Sequence, residues 1–386
     1  MKAWQRSRRL GGYAVLVLGV AGTALTGAGT AQAGVIPARS AVVSWGGLGN
    51  LTPAQVASST GAVQVSAGGA HMLVLNADGT VWARGNNWFG QLGNGTETVS
   101  GTLIHVPGLT GVVQVSAGSF HSLALRSDGT VWEWGLWGPA DYLTPTEVPG
   151  LTGVTKIAGG DGFSLALRSD GTVWAWGNNY YGNLGDGTTT ASSVPVQVTG
   201  LSQVTSIAAG TNSALAIRTR GITTLKTVWA WGANDSGQLG DGTLTTHMTP
   251  EQVNGIGAPS VTGISAGDKF AVALGSDGSV WAWGTDTAGQ LGNAPAASPV
   301  TRPVETTGMD SGITQLSAGA THVLALESNG TVLAWGDNTQ GELGTGSTAS
   351  VTGKVLVPGL SGVTQVSAGV DSSTAIHPAL LVIRPA

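Results

Sequence analysis

A run of alternating large and small side chains recurs seven times along the chain. In its clearest copy, His121-Ser122-Leu123-Ala124-Leu125 places large residues on one face of a strand and small ones on the other. Trp132-Glu133-Trp134 then places both indoles on one face. Most copies separate these runs by an Asp-Gly or Asn-Gly pair, which is typical of a tight two-residue turn between antiparallel strands. Each copy therefore predicts a β-hairpin. The pairs are Asp78-Gly79, Asp128-Gly129, Asp170-Gly171, Asp277-Gly278 and Asn329-Gly330.

A glycine at the end of the preceding strand marks the length of the repeat. Its seven occurrences are 42 to 57 residues apart. A lone hairpin leaves one face in water, so no unit can bury its indoles by itself. Units of about fifty residues with several short strands predict an all-β fold, a β-propeller whose blades pack radially around an axis. An open solenoid would need polar caps at its ends, and the sequence has none. The glycines are Gly68, Gly118, Gly160, Gly210, Gly267, Gly319 and Gly369.

The two ends of the repeat region complement each other. The last unit, from Val366 to Ile376, lacks a Trp-x-Trp-Gly strand, whereas Ala41 to Gly46 supplies an unmatched one. We predict that residues 40–64 and 366–377 form one blade and close a seven-bladed ring. A further apolar run, Leu380 to Ile383, also has the pattern of a strand, which would compete for this place or add to it.

The repeated sequence resembles a known family. Ser-Ala-Gly, His-Ser-Leu-Ala-Leu, Asp-Gly-Thr-Val-Trp-Ala-Trp-Gly, Asn-Asn and Gly-Gln-Leu-Gly-Asp-Gly-Thr follow one another as in the regulator of chromosome condensation family, from residue 40 to residue 377. The resemblance implies a seven-bladed propeller. Eukaryotic members act as exchange factors on a small nuclear GTPase and dock on chromatin. A secreted bacterial branch, that of β-lactamase inhibitor protein II, binds and blocks an enzyme. The fold alone does not choose between these functions.

Residues 1–33 have the pattern of a cleavable secretory signal. A basic start that includes Arg8-Arg9 precedes an apolar stretch from Leu10 to Leu25, and Ala31-Gln32-Ala33 has the small residues of a cleavage site. We expect cleavage before Gly34 and export by the Sec or the twin-arginine route. An uncleaved membrane anchor is the alternative, although the apolar stretch is interrupted by glycines and marginal in length.

The expected mature chain, residues 34–386, is acidic. Removing the leader takes away four basic residues and no acidic ones, which leaves 12 basic and 21 acidic groups and a net charge of −9. Nucleic-acid binding uses clustered Lys and Arg, and the sequence has no such stripe. We expect a single secreted propeller domain with a tail at 378–386, monomeric, with no nucleic-acid or membrane partner. The absence of Cys indicates that the fold does without disulfides.

No group of residues has the spacing of a catalytic or metal site. His71, His121 and His322 occupy one repeat position that holds Phe or Ser in other copies, which indicates packing. The other histidines lack paired metal-ligand spacing, and the Asp-Gly aspartates are turn formers. The sequence therefore predicts a protein that is not an enzyme and that has no cofactor and no metal.

The Trp-x-Trp indoles are predicted to fill the interfaces between blades. Two copies depart from the pattern. Arg84 stands where Trp134 has its indole, and Leu333 stands where Trp132 has its own. These exceptions predict locally softer packing.

Function is expected where the repeats differ. Two loops per blade should open on one rim, the loop after Ser-Ala-Gly and the loop after Trp-Gly. In blades 1 to 3 these loops have aromatic residues where later blades have mostly small or polar ones. Exposed aromatic clusters within a polar surround mark protein contact sites, although these rings could instead fold back and cap the blades. We call the predicted partner-binding set the aromatic arc. Its members are Trp88, Phe89, Phe120, Trp137, Tyr180 and Tyr181.

The sequence favours a secreted, non-enzymatic binding propeller whose partner is another protein, such as an extracellular enzyme that it inhibits. The resemblance implies the same use of these loops in β-lactamase inhibitor protein II, although longer segments such as Gly237 to Thr243 distinguish this chain. Two alternatives stay open. One is a guanine-nucleotide exchange factor for a GTPase, which needs a cytosolic address. The other is a cell-wall or carbohydrate-binding module, because Trp and Tyr also stack on sugar rings.

Overall fold

The computed structural model describes residues 40–378 except 48, 58, 60, 138–139, 220–224, 259, 294–297 and 310–311. Of residues 137, 140 and 141 it describes the backbone only. The predicted leader and the predicted strand at 380–383 lie outside the described residues. The described chain forms 28 strands and no helix, and so has no helix long and apolar enough to cross a membrane.

The strands form seven antiparallel sheets of four strands each, and these sheets are the predicted blades. Six blades use four consecutive strands, and the seventh combines both ends of the chain. The strands are β1 (Ser40–Gly46) and β2 (Asn50–Gln55) of blade 7; β3 (Ala62–Ala67), β4 (His71–Asn76), β5 (Val81–Gly85) and β6 (Ser100–His105) of blade 1; β7 (Val112–Ala117), β8 (His121–Arg126), β9 (Val131–Trp137) and β10 (Ala140–Glu147) of blade 2; β11 (Val154–Gly159), β12 (Phe163–Arg168), β13 (Val173–Gly177) and β14 (Ser192–Gln197) of blade 3; β15 (Val204–Ala209), β16 (Ser213–Thr219), β17 (Lys226–Gly232) and β18 (His247–Gln252) of blade 4; β19 (Val261–Ala266), β20 (Phe270–Gly275), β21 (Val280–Gly284) and β22 (Val300–Glu305) of blade 5; β23 (Ile313–Ala318), β24 (His322–Glu327), β25 (Val332–Gly336) and β26 (Val351–Leu356) of blade 6; and β27 (Gln365–Ala368) and β28 (Ser372–Pro378) of blade 7.

The N- and C-terminal strands close the ring as predicted. β1 pairs with β28 over seven residues, from Ser40 opposite Pro378 to Gly46 opposite Ser372, and β27 forms the inner edge of this blade. The predicted boundary at residue 64 is slightly too late, because β3 of blade 1 already begins at Ala62.

At their inner strands, blade 7 joins blade 1 through contacts that recur between blades 1 and 2. On the inner strand β27, the side chains of Gln365 and Ser367 accept hydrogen bonds from backbone N–H groups of β3, at 2.8 and 3.0 Å. On β3 itself, Gln64 and Ser66 accept equivalent bonds from β7, at 2.8 and 2.9 Å. The inner strands at the junction of blades 7 and 1 are therefore connected like those at the junction of blades 1 and 2.

The Asp-Gly pairs turn the hairpins as predicted, but the turn is longer than expected. In blade 1, Gly79 has φ +79° and its N–H donates to the carbonyl oxygen of Asn76 at 2.9 Å, whereas Asp78 is not in the left-handed region. This is a three-residue loop with glycine at its last position, and a two-residue turn would need positive φ at both residues. Asp78 accepts hydrogen bonds from the hydroxyl and N–H of Thr80, which lower its pKa.

The indoles lie between blades, and the two indoles of each Trp-x-Trp pair differ in burial. The second indole is fully buried, as for Trp134, which packs against Leu73 and Leu92 of blade 1. The first is partly exposed, as for Trp132, whose ring lies 5.7 Å from the guanidinium of Arg126. The predicted inter-blade core is confirmed, with the first indole at its edge.

The shared histidine position is a packing position, as predicted. Each imidazole is buried, and its Nε2 lies within hydrogen-bond distance of a serine Oγ in the next blade. Burial lowers the pKa of His121 and His322 to about 4 and that of His71 to about 3, where His121 adds to the effect. The rings are therefore neutral near pH 7. The pairs are His71–Ser122 at 2.8 Å, His121–Ser164 at 3.0 Å and His322–Ser373 at 2.9 Å.

In five of the seven blades, a backbone carbonyl in the loop after Trp-Gly links the blade to the next one. The carbonyl oxygen of Gln91 accepts the indole N–H of Trp134 at 2.8 Å and the hydroxyl of Ser122 at 2.9 Å, both in blade 2. Gln91 belongs to a Gly-x-Leu-Gly segment that occurs in blades 1, 3, 4, 5 and 6. A buried N–H without an acceptor costs about 1–3 kcal/mol, so an acceptor is needed wherever the indole is buried. The other four indole bonds are Trp231 to Asn183, Trp283 to Gln238, Trp335 to Gln290 and Trp45 to Glu342, at 2.7 to 3.0 Å.

Blade 2 lacks this segment, and a side chain replaces it. Glu133, on β9, accepts the indole N–H of Trp176 at 2.8 Å and the hydroxyl of Ser164 at 3.1 Å, both in blade 3. Its carboxyl group therefore receives the same two kinds of donor that the carbonyl oxygens of Gln91 and Glu342 receive. Glu133 is 4% exposed, and burial raises its pKa to about 8.

Replacing Trp45 by alanine tests the closure of the ring. Its indole is fully buried between blades 6 and 7. We expect Trp45→Ala to lower the free energy of unfolding by about 3–5 kcal/mol in urea denaturation, the usual range for a buried aromatic residue. Trp132→Ala, at a partly exposed position, is the control and should cost less. A smaller loss for Trp45→Ala than for Trp132→Ala would mean that the N-terminal strand lies outside the ring's core.

The raised pKa of Glu133 predicts a loss of stability at alkaline pH. The folded state holds the proton more tightly than the unfolded state, whose pKa is near 4.5. The contribution of Glu133 to the stability of the fold is therefore fully present below pH 4.5 and is lost as the pH rises through about 8. Glu133→Gln resembles the protonated form, so we expect the melting temperature of the wild type to fall relative to this variant between about pH 5 and pH 9. The control is Glu251→Gln, at an exposed carboxylate. Parallel pH profiles for the wild type and Glu133→Gln would contradict the role of burial.

Candidate partner-binding site

The two variable loops of each blade lie side by side on one rim. In blade 1 the N–H of Asn86, in the loop after β5, donates to the carbonyl oxygen of Ala70, in the loop after β3, at 2.8 Å. Leu136 and Phe120 make the same contact in blade 2 at 3.0 Å. We call this side of the ring, formed by the loops after the first and third strands of each blade, the loop rim. It lies where the sequence predicted both loops to open.

Four members of the aromatic arc are exposed on the loop rim. Trp88 is 67% exposed, Tyr180 76%, Tyr181 46% and Phe120 42%. Among the described residues, no other Phe, Trp or Tyr is more than about a third exposed. These four rings therefore face solvent and do not cap the core.

The other two members of the arc differ from these four. Phe89 is only partly exposed, because its ring packs edge-on against Phe120, with the centroids 5.5 Å apart and the planes at 75°. It supports Phe120 across the boundary between blades 1 and 2. Trp137 ends β9, and its side chain lies outside the described residues, so its place in the arc stays a prediction.

In blade 1, side-chain hydrogen bonds fix the backbone at the tip of the loop that carries Trp88 and Phe89. The side chain of Asn86 accepts from the N–H of Trp88 at 2.9 Å, and that of Gln91 accepts from the N–H of Phe89 at 3.0 Å. Asn87 is fully buried beneath the tip and accepts from the N–H of Leu92 at 2.8 Å. The exposed rings therefore stand on an ordered loop.

Blade 3 repeats this arrangement beneath its two tyrosines. Asn179 is fully buried, accepts from the N–H of Leu184 at 2.9 Å, and donates through Nδ2 to the carbonyl oxygens of Thr188 and Thr190, each at 3.1 Å. One buried amide thus connects the start of the loop, its middle and its far end. Tyr180 and Tyr181 follow Asn179 directly and occupy the positions that Trp88 and Phe89 have in blade 1.

Acidic side chains lie near the central axis on the same rim. Asp161 and Asp268 line the mouth of the channel formed by the inner strands. Burial raises the pKa of Asp161, a hydrogen bond from Ser119 opposes this, and the charge of Asp268 raises it further. Lys269 and Asp235 form an exposed ion pair at 2.7 Å. The arc therefore has a polar, mainly acidic surround, which the sequence analysis did not identify because the axis position of these residues follows from the ring geometry.

The described residues contain no group of three or more His, Asp or Glu side chains that could hold a metal ion. The buried ionisable groups with large pKa shifts, Glu133 and the three shared histidines, lie between blades and make structural contacts.

Two solved structures share the fold. Prp20p from Saccharomyces cerevisiae superposes with a TM-score of 0.77 at 23% sequence identity, over 88% of this chain and 92% of that one. Human WBSCR16 superposes with a TM-score of 0.78 at 23% identity, over 89% of this chain and 99% of that one. At this level of identity the similarity establishes the propeller fold and nothing more.

Curated relatives match parts of the chain. The E3 ubiquitin-protein ligase HERC2 of Homo sapiens is 32% identical over 142 residues, which are 36% of this chain and 3% of that protein. The ultraviolet-B receptor UVR8 of Arabidopsis thaliana is 29% identical over 202 residues, which are 50% of this chain and 44% of that protein. The chain therefore spans less than half the length of either relative.

The repeats themselves match a family model. The regulator of chromosome condensation (RCC1) repeat matches at residues 78–125, 170–217, 227–274, 277–326 and 329–376, which together are more than half of the chain. A second model of the same repeat matches four further windows, at residues 62–91, 154–183, 261–290 and 313–342. The chain belongs to the RCC1 repeat family.

Proposed function

We propose that this protein is a secreted, non-enzymatic propeller that binds another protein through the aromatic arc on its loop rim. The observation that supports this proposal is the exposure of Trp88, Phe120, Tyr180 and Tyr181 on one side of three adjacent blades. Aromatic side chains of this kind contribute most of the binding energy at protein interfaces when they enter pockets on the partner.

The ordered backbone of the rim loops favours tight binding. Association costs free energy for every flexible side chain or loop that it immobilises. Here the backbone of the tips is already fixed by Asn86, Gln91, Asn87 and Asn179. The rings can therefore be buried at a small additional entropic cost.

The surround indicates the character of the partner's surface. The arc needs apolar pockets or grooves, and the acidic groups Asp161 and Asp268 near the axis favour basic side chains opposite them. Complementary charge of this kind raises the rate of association and the specificity of an interface. An enzyme with an apolar cleft and a basic border would fit this surface, and occupation of the cleft would inhibit it.

The relatives are consistent with a regulatory or protein-binding role. The structure of Prp20p was described together with its binding to Gsp1p and histones. For this chain the secreted location is inferred from the leader at 1–33, and the inhibitory role from the likeness to the secreted bacterial branch. The acidic mature composition argues against a nucleic-acid partner.

The triple variant Trp88→Ala, Tyr180→Ala and Tyr181→Ala tests this function. The wild-type protein would be used to capture partners from the culture fluid of the producing organism, followed by mass spectrometry, and the affinity for the captured protein would be measured by calorimetry. We expect at least about a hundredfold loss of affinity, because hot-spot rings contribute about 2 kcal/mol or more each. The melting temperature should stay nearly unchanged, because all three rings are exposed.

Leu356→Ala is the matched control, since Leu356 is 57% exposed on the outer strand β26, outside the arc. It should leave affinity unchanged. Full affinity in the triple variant, or an equal loss in the control, would refute the arc as the binding surface. Binding to cell-wall glycans without any protein partner would instead favour a carbohydrate-binding module.

A further inference from the structure

Two of the seven blade junctions lack the Gly-x-Leu-Gly segment that supplies the acceptor carbonyl. One is the junction of blades 2 and 3, where Glu133 takes its place. The other is the junction of blades 7 and 1, because only residues 47–49 connect β1 to β2 in blade 7. The quasi-symmetry of the ring allows these two junctions to be compared position by position.

The junction of blades 7 and 1 has different side chains at all three positions. Ser44 stands at the position of Glu133, Met72 at that of Ser164 and Arg84 at that of Trp176. The hydroxyl donor is therefore absent, and a guanidinium group stands where the indole would be. Among the described residues, no carboxylate forms an ion pair with this guanidinium.

A cavity of about 80 Å³ lies at this junction. A single buried water needs roughly 10–15 Å³ on the same measure, so the cavity has room for a small organic group. The loop-rim residues Gly47, Gly69 and Ala70 line it beside Ser44 and Arg84, so the cavity lies beneath the same rim as the aromatic arc.

The guanidinium of Arg84 is poorly paired in this cavity. Its Nε is buried and has no hydrogen-bond partner, and its Nη2 makes one long bond to the hydroxyl of Ser44, at 3.4 Å. Among the ion pairs of the described residues, none includes Arg84. Arginine presents its N–H groups in a planar fork that matches a carboxylate with two parallel hydrogen bonds.

We propose that this cavity binds a carboxylate group, which pairs with Arg84 at the place that the carboxyl of Glu133 fills in the other exceptional junction. The carboxylate belongs either to a small free acid or to an Asp, Glu or C-terminal residue of a protein that docks on the loop rim. This site is separate from the aromatic arc, because it lies between blades 7 and 1.

One acidic group also lines the cavity and limits the ligand. Asp371, in the loop between β27 and β28, lies among the lining residues, and its charge repels a ligand more strongly with each negative charge that the ligand carries. The site therefore favours a monocarboxylate over a dicarboxylate or sulfate.

Acetate is the probe that tests the site, titrated into the full-length protein at constant ionic strength and followed by calorimetry or NMR. We expect saturable binding that is weakened at least tenfold in Arg84→Gln and left unchanged in the control Arg126→Gln, since Arg126 lies at the end of β8 in blade 2, outside the lining of the cavity. Succinate and sulfate should bind more weakly than acetate. Absence of saturable acetate binding to the wild type, or equal binding to Arg84→Gln, would overturn the proposal, and sulfate binding as tight as acetate would contradict the monocarboxylate assignment.

Ser44→Glu gives an independent test, because it installs the carboxylate of the blade 2 junction at the equivalent position. We expect it to abolish acetate binding and to raise the melting temperature, as an internal ligand would. Acetate binding retained in Ser44→Glu would contradict the proposed position of the ligand.

The source of the natural carboxylate is distinguished by competition. If acetate and Arg84→Gln both weaken capture of the rim partner, the carboxylate belongs to that partner. If acetate binds and capture is unaffected, the ligand is a free small acid. The triple variant of the aromatic arc should still bind acetate, so failure of the proposed partner site and failure of this site give separate results.

Discussion

Six of the seven interfaces between blades contain one buried oxygen that accepts the indole N–H of the next blade. A fully buried tryptophan fills the space between two sheets, but it also brings a donor that water cannot reach. The Gly-x-Leu-Gly segment solves this by placing a backbone carbonyl beside the indole, as Gln91 does for Trp134. The same loop displays the variable residues of the rim. Packing of the ring and presentation of the proposed binding surface are therefore consequences of one local structure.

The two junctions without this segment follow from the same requirement. At one of them the chain retains both donors and provides the side chain of Glu133 as acceptor, although burial makes its ionised form costly. At the other, the chain replaces both donors, with Met72 and Arg84, and leaves a cavity. An acceptor is thus missing only where the indole is missing too. The departure from the repeat at Arg84, which predicted softer packing, produces a site with its own chemistry.

Much of the fold can be predicted from the sequence because the same strand and turn patterns recur in every repeat. The alternation in β8 and β9, the Asp-Gly turns and the unmatched strand at Trp45 were sufficient to predict seven blades and their closure. The sequence did not reveal the role of Glu133, because that role depends on which donors of the neighbouring blade meet it in space. The exposure of Trp88 and Tyr180, as opposed to the partial burial of Phe89, also depends on tertiary contacts, since similar aromatic pairs occupy these positions in blades 1 and 3.

Exchange of the indole protons measures the central claim directly. In NMR spectra recorded in deuterated buffer, we expect the indole N–H signals of Trp45, Trp134 and Trp176 to persist long after that of Trp88 has disappeared, because each is buried and bonded to an acceptor in the adjacent blade. Equally protected signals for Trp45 and Trp176 would show that the junction of blades 6 and 7 and the Glu133 junction are as closed as the others. Exchange of either indole as fast as that of Trp88 would contradict the account.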